Sequence, residues 1–129
     1  MKLLTTLPVA SSFRLLPTVL SHGWFQCPPF RWDREESRLH RVIRTADGSP
    51  RAIAVGEQDR GTLLLFHEGS EATREEREDI VEKVSWMLQL DRDIDGFHHL
   101  CRSLDSHQIL AEIGAGRLLR GEDLWEDLV

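Results

Sequence analysis

Apolar residues follow two regimes along the chain: up to about residue 67 they tend to alternate with polar ones, and beyond residue 72 they recur every three or four positions. Alternation belongs to strands with two unlike faces, and the longer period to helices with one buried stripe. In the first regime Arg38–Thr45, Arg51–Glu57 and Thr62–His67 read as strands, with Ile53 and Val55 sharing a face. The turn-forming runs Ala46-Asp47-Gly48-Ser49-Pro50 and Gln58-Asp59-Arg60-Gly61 separate them. Links this short make an antiparallel meander. Phe13–Leu20 reads as a further strand, with Pro17 at an edge or bulge. Met1–Ala10 carries Lys2 and several leucines, but Thr5, Thr6 and Pro8 interrupt it, so a strand or frayed leader is expected rather than a secretory signal.

In the second regime Thr73 and Glu76 have the spacing of a capping box. Ile80, Val81, Val84, Met87 and Leu88 follow as a helical stripe, opposite Glu78, Asp79, Glu82 and Lys83. After a break at Asp91–Asp95, Phe97, Leu100, Cys101 and Leu104 predict a short helix and Ser106–Ile113 another, closed by Gly114-Ala115-Gly116. Glu122 and Asp123 then open a last helix, whose stripe of Leu124, Trp125, Leu128 and Val129 needs a surface to pack on. No C-cap signal follows it. That stripe either docks on its own domain or marks a larger protein that continues from here. Strands followed by helices predict an α+β fold, an antiparallel sheet of about four to five strands backed by helices, with further helices at the C-terminus.

A length of 129 residues bounds this to one domain's worth of core, and 40% hydrophobic with 29% charged residues is ordinary for a globular chain. No apolar run approaches the ~20 residues that span a bilayer, so no membrane partner is expected. Cys27 and Cys101 lie far apart without metal-like spacing and read as free thiols of a cytoplasmic protein. The net charge of −6 is uneven: residues 1–60 carry nine Lys/Arg against six Asp/Glu, the remainder seven against sixteen. Phosphate binding needs clustered positive charge, which leaves the second half a poor nucleic-acid surface. The stretch Arg31–Arg51 is the better candidate, although such stretches are also the solvated faces of strands.

Most chemistry-bearing combinations do not converge. His98, His99 and Cys101 cannot all face one ion, because adjacent helical residues point about 100° apart. No metal or cofactor is expected, and His98 reads as a surface residue. Gly114-x-Gly116 is too short for a phosphate-binding loop, and Glu35-Glu36 and Glu75-Glu76 read as solvated faces. The segment His22–Trp32 differs: it holds Trp24, Phe25, Phe30 and Trp32 with Gly23, Pro28 and Pro29 between them. Phe30 and Trp32 read as filling between sheet and helices. Trp24 and Phe25 either do the same or stack on a planar ligand such as a nucleobase.

These stretches occur in an order that resembles the helix-hairpin-helix superfamily of DNA glycosylases, the 3-methyladenine and 8-oxoguanine type. SHGWFQCPPFRWD (21–33) resembles the segment after their first strand, and LHRVIRTADGSP (39–50) the strand and turn that come next. MLQLDRDIDGFHHLCRSL (87–104) is similar to their linking helices, with Phe97 at a matching phenylalanine. GAGRLLRGEDLWEDLV (114–129) resembles their glycine-arginine turn and the start of the catalytic domain's first helix. The resemblance implies an N-terminal sheet domain like half of a TATA-binding protein over residues 11–90, then linking helices and the start of the catalytic domain over 91–129. It places the helix-hairpin-helix, the catalytic aspartate and the residues that wedge into the duplex beyond position 129. The expected activity of the whole is therefore base flipping and N-glycosidic hydrolysis of a damaged purine in double-stranded DNA, with no catalytic residue in this part and no activity from it alone.

Gly23, Trp24 and Phe25 match the turn that approaches the extruded base and become the base-pocket candidates. The alternative is a stand-alone interaction domain that recruits a partner, a separate catalytic half or a second copy through Leu124, Trp125 and Leu128. A complete small enzyme built on the ring-lined loop would need an acid-base pair near Trp24, and the sequence offers none.

Overall fold

The computed structural model describes residues 1–128; Val129 and the side chain of Leu124, both expected in the terminal apolar stripe, lie outside the described residues. The strands are β1 (Lys2–Pro8), β2 (Phe30–Asp33), β3 (Arg38–Arg44), β4 (Pro50–Asp59) and β5 (Thr62–His67). They form one antiparallel sheet in the order β1-β5-β4-β3-β2. The helices are α1 (Leu15–Val19), α2 (Arg74–Met87), α3 (Asp95–Arg102), α4 (Gln108–Glu112) and α5 (Leu124–Leu128), with a single 3-10 turn at Trp24–Gln26. This is the expected α+β architecture. No described helix is long and apolar enough to cross a membrane.

The meander β3-β4-β5 has the expected turns. Asp47 fixes the first by accepting hydrogen bonds from Thr45 Oγ1 (2.6 Å) and the Ser49 amide (2.9 Å). These bonds favour the charged carboxylate and, with the Ser49 hydroxyl first among them, hold its pKa at about 2. The inward positions Leu39, Ile43, Ile53, Val55, Leu63 and Leu65 meet Ile80, Val84 and Met87 of α2 in one core. The capping box of α2 is complete: the Glu76 amide donates to Thr73 Oγ1 at 3.2 Å and the Thr73 amide to Glu76 Oε2 at 2.8 Å.

Two sequence expectations are corrected. Phe13–Leu20 is not a strand, because residues 15–19 form α1. Leu15 and Val19, four apart, are both buried while Leu16 is exposed, so the period that matters is helical. Pro17 is tolerated in the first turn, where its missing amide proton has no intrahelical acceptor to lose. Glu57 completes the helix start by accepting from the Leu15 amide at 3.0 Å while pairing with Arg14 at 2.7 Å. His98 is the second correction: it is 1% exposed, and its Nε2 lies 2.6 Å from the Ala115 carbonyl. α3 turns His98 and Cys101 inward, where the returning Ala115 carbonyl meets the His98 ring, and leaves Leu100 exposed and Phe97 at the surface beside Gly116.

That turn is sterically specified. Gly114 has φ +73°, and a Cβ there would meet Arg14 Cγ at 2.6 Å and the Ser12 carbonyl at 2.9 Å. Arg117 is buried; its Nη2 donates to the Arg92 carbonyl at 3.0 Å, and burial lowers its pKa against the pull of Asp95 and Asp93. The chain then continues through buried Leu119, whose carbonyl meets His22 Nε2 at 2.6 Å. The Arg120 amide donates to the Met87 carbonyl at 2.8 Å, which ties this segment to the end of α2.

Candidate functional site

The 3-10 turn and α5 meet at the β2-β3 edge of the sheet, around two adjoining clefts. Gly23 adopts φ +86° and opens the turn, with nothing within 4 Å of where a Cβ would stand. Its role is thus conformational: the left-handed φ turns the chain so that Trp24 follows. His22 packs edge-on against Trp24, with ring centroids 4.7 Å apart, while the same histidine ring holds the Leu119 carbonyl. Trp24 and Phe25 are half-buried against the rim of the core, and Phe30 is buried within it.

The first cleft, about 700 Å³, lies between Trp24, Pro28 and Pro29 on one side and Trp125 and Leu128 on the other. Two groups of residues singled out separately in the sequence, Trp24 and the Trp125–Leu128 pair, therefore share one wall-to-wall space. Phe25 and Gly23 are not part of its lining. Cys27 reaches it as an exposed free thiol. The carboxylates at its rim are engaged: Asp127 Oδ1 accepts the Gly121 amide at 2.6 Å, and Glu126 Oε2 pairs with Arg41 at 2.6 Å. The cleft offers flat apolar surface and no free acid-base pair among the described residues.

Arg41 is the feature that sequence reasoning missed. It occupies the inward register of β3 between Leu39 and Ile43, with its side chain 3% exposed. The signal was present in Leu39-His40-Arg41-Val42-Ile43, where alternation places the arginine in the apolar set. The guanidinium lies over the Phe30 ring at 4.6 Å and its Nη2 reaches Glu126 at 2.6 Å and Glu122 at 3.4 Å. Its Nε and Nη1 are buried without a partner. Beside it, Arg44, Gly48 and Pro50 face Glu122 and Asp123 across a second cleft of about 480 Å³.

The fold that carries these clefts has a known counterpart. No family model matches the sequence, and no curated protein matches it. Among solved structures, a 3-methyladenine DNA-glycosylase from Archaeoglobus fulgidus is similar, with a TM-score of 0.71 at 13% identity, over 95% of this chain and 41% of that one. What the two share is the fold. The chain spans about two-fifths of the length of that glycosylase.

Elsewhere among the described residues, Asp33, Glu36 and His40 bring one ligand atom each to within 4.8 Å of one another on the β2-β3 hairpin. Asp33 is held low in pKa, first by the Glu36 amide, and burial, with nearby Arg31, lowers the pKa of His40. Both carboxylates already hold arginines, Arg31 at 3.3 Å and Arg38 at 3.1 Å, so the group closes the hairpin.

Proposed function

We propose that this chain is the non-catalytic N-terminal part of a base-excision DNA glycosylase of the helix-hairpin-helix superfamily. The observation that carries this reading is the shared fold with a 3-methyladenine DNA-glycosylase over nearly the whole of this chain. In this reading residues 11–90 are the sheet domain and residues 91–129 link it to a catalytic region outside this sequence. Damaged double-stranded DNA is the substrate of the whole, and Trp24, set on the turn that Gly23 opens, walls the space beside an extruded purine. The chain alone releases no base, because neither cleft joins a free general acid to a site where water can be activated. A base-release assay on methylated duplex DNA is the test: no free purine above buffer is expected, and measurable release by the purified chain overturns the reading.

One observation favours a second reading, an interaction domain working through α5. Trp125 and Leu128 are 77% and 71% exposed, an apolar pair of the kind that marks contact surfaces when uncovered. Analytical ultracentrifugation separates the two: a concentration-independent monomer rules out self-association through α5.

A further inference from the structure

We propose that the inward face of β3 holds an anion site for phosphate oxygens, built on Arg41 and Lys83, which residues 121–127 cover with their own carboxylates. The inference rests on the ion cluster and stands whether or not the glycosylase reading does. Arg41 is unusual among the arginines because it is buried and only one of its three nitrogens, Nη2, is paired. A guanidinium presents five N–H donors in a planar fork, and single contacts to Glu122 and Glu126 leave most of them unused. Phe30 fixes the plane of that fork, and a phosphate group offers more acceptor oxygens to it than either carboxylate delivers here. Lys83 adds a second cation, 3.6 Å from the other oxygen of Glu122 and held in place by Asp79 at 2.8 Å. Arg44 stands at the rim of the adjoining cleft.

The covering segment is built to stay together without the sheet. Asp127 binds the Gly121 amide, Glu126 the Glu122 amide and Asp123 the Glu126 amide, so its hydrogen bonds are largely its own. α5 makes no extensive packing contact with any other helix or strand among the described residues. Its exposed Trp125 and Leu128 lose little burial if it leaves, and charge is what holds it in place. With the segment in place, Arg41 and Lys83 face three carboxylates; with it displaced, Asp79 alone remains, and the surface changes sign. The segment is therefore an internal competitor for the ligand.

The test uses the full chain and a fluorescent 20-base-pair duplex, with anisotropy read at low salt. Converting Glu122→Gln and Glu126→Gln together should tighten binding about tenfold or more over the native chain and steepen its salt dependence by about one unit per phosphate gained. Glu35→Gln with Glu112→Gln makes the same charge change at exposed positions away from Arg41 and should change binding by less than about twofold. Lys83→Gln added to the Glu122/Glu126 variant should return most of the gain. Displacement of the duplex by inorganic phosphate beyond that by chloride of equal ionic strength identifies a site for free phosphate; equal displacement identifies the nucleic-acid backbone. No gain in the Glu122/Glu126 variant, an equal gain in the control variant, or a gain that survives Lys83→Gln with Arg41→Gln overturns the proposal.

Discussion

α2 and α5 both carry acidic residues in their first turn and apolar residues at helical spacing, yet they lie on the sheet in opposite senses. α2 turns Ile80, Val84 and Met87 into the core and leaves Glu75, Glu78 and Glu82 exposed. α5 turns Glu126 toward Arg41 and leaves Trp125 and Leu128 outside. The difference lies in the surface each one meets. α2 faces apolar strand positions and buries three full side chains, each worth about 1.5–3 kcal/mol. α5 has five residues and faces a buried guanidinium, and leaving such a charge without its partner costs about 3–5 kcal/mol. For so short a helix the ion pair outweighs the apolar stripe. Amphipathic pattern thus predicts which residues share a face, while the opposing surface selects which face turns in.

That contrast is open to experiment. Ile80→Ala should have the largest effect, a loss of about 2–5 kcal/mol in urea unfolding, from lost burial and the cavity left behind. Gly114→Ala, which strains the turn that brings the chain back toward α5, should cost about 1–3 kcal/mol by the same measurement. Thr73→Ala removes one half of the capping box of α2 and should cost about 1 kcal/mol, with the loss appearing as lower helical ellipticity on heating. Asp47 sits on neither helix and tests the sheet alone. Its pKa of about 2 lies below the ordinary 3.8, so its contribution is present above the ordinary value and is lost as pH falls towards 2. Asp47→Asn should therefore flatten stability measured against pH across that interval. Trp125→Ser with Leu128→Ser should change stability least, by about 0.5 kcal/mol or less in the same unfolding experiment. A loss as large as that of Ile80→Ala would mean that α5 packs its apolar side in solution, and the contrast would fail.

The candidate site was legible unevenly. Gly23 and Trp24 stand out in the sequence as rings beside a glycine, and Trp24 does line a cleft. Phe25 carries the same local signal but packs against the core rim, because one turn of 3-10 helix points neighbouring side chains in different directions. Trp125 and Leu128 were expected to need covering and remain exposed. His98 looked like a surface residue because only the return of Ala115, seventeen positions later, gives its ring a buried partner.

The sequence by itself determined what depends on neighbours in the chain. The meander and its turns follow from alternation and from Asp47 and Gly48, and the start of α2 follows from Thr73 and Glu76 three residues apart. These are short-range rules of sterics and hydrogen bonding, and the intervening residues are fixed by the same rules. Tertiary structure decided the pairing of Arg41 with Glu122 and Glu126, partners 81 and 85 positions away, and with it the sense in which α5 lies. Charge acts through space rather than along the chain, so the partners of a buried cation are known only once the fold has brought them together.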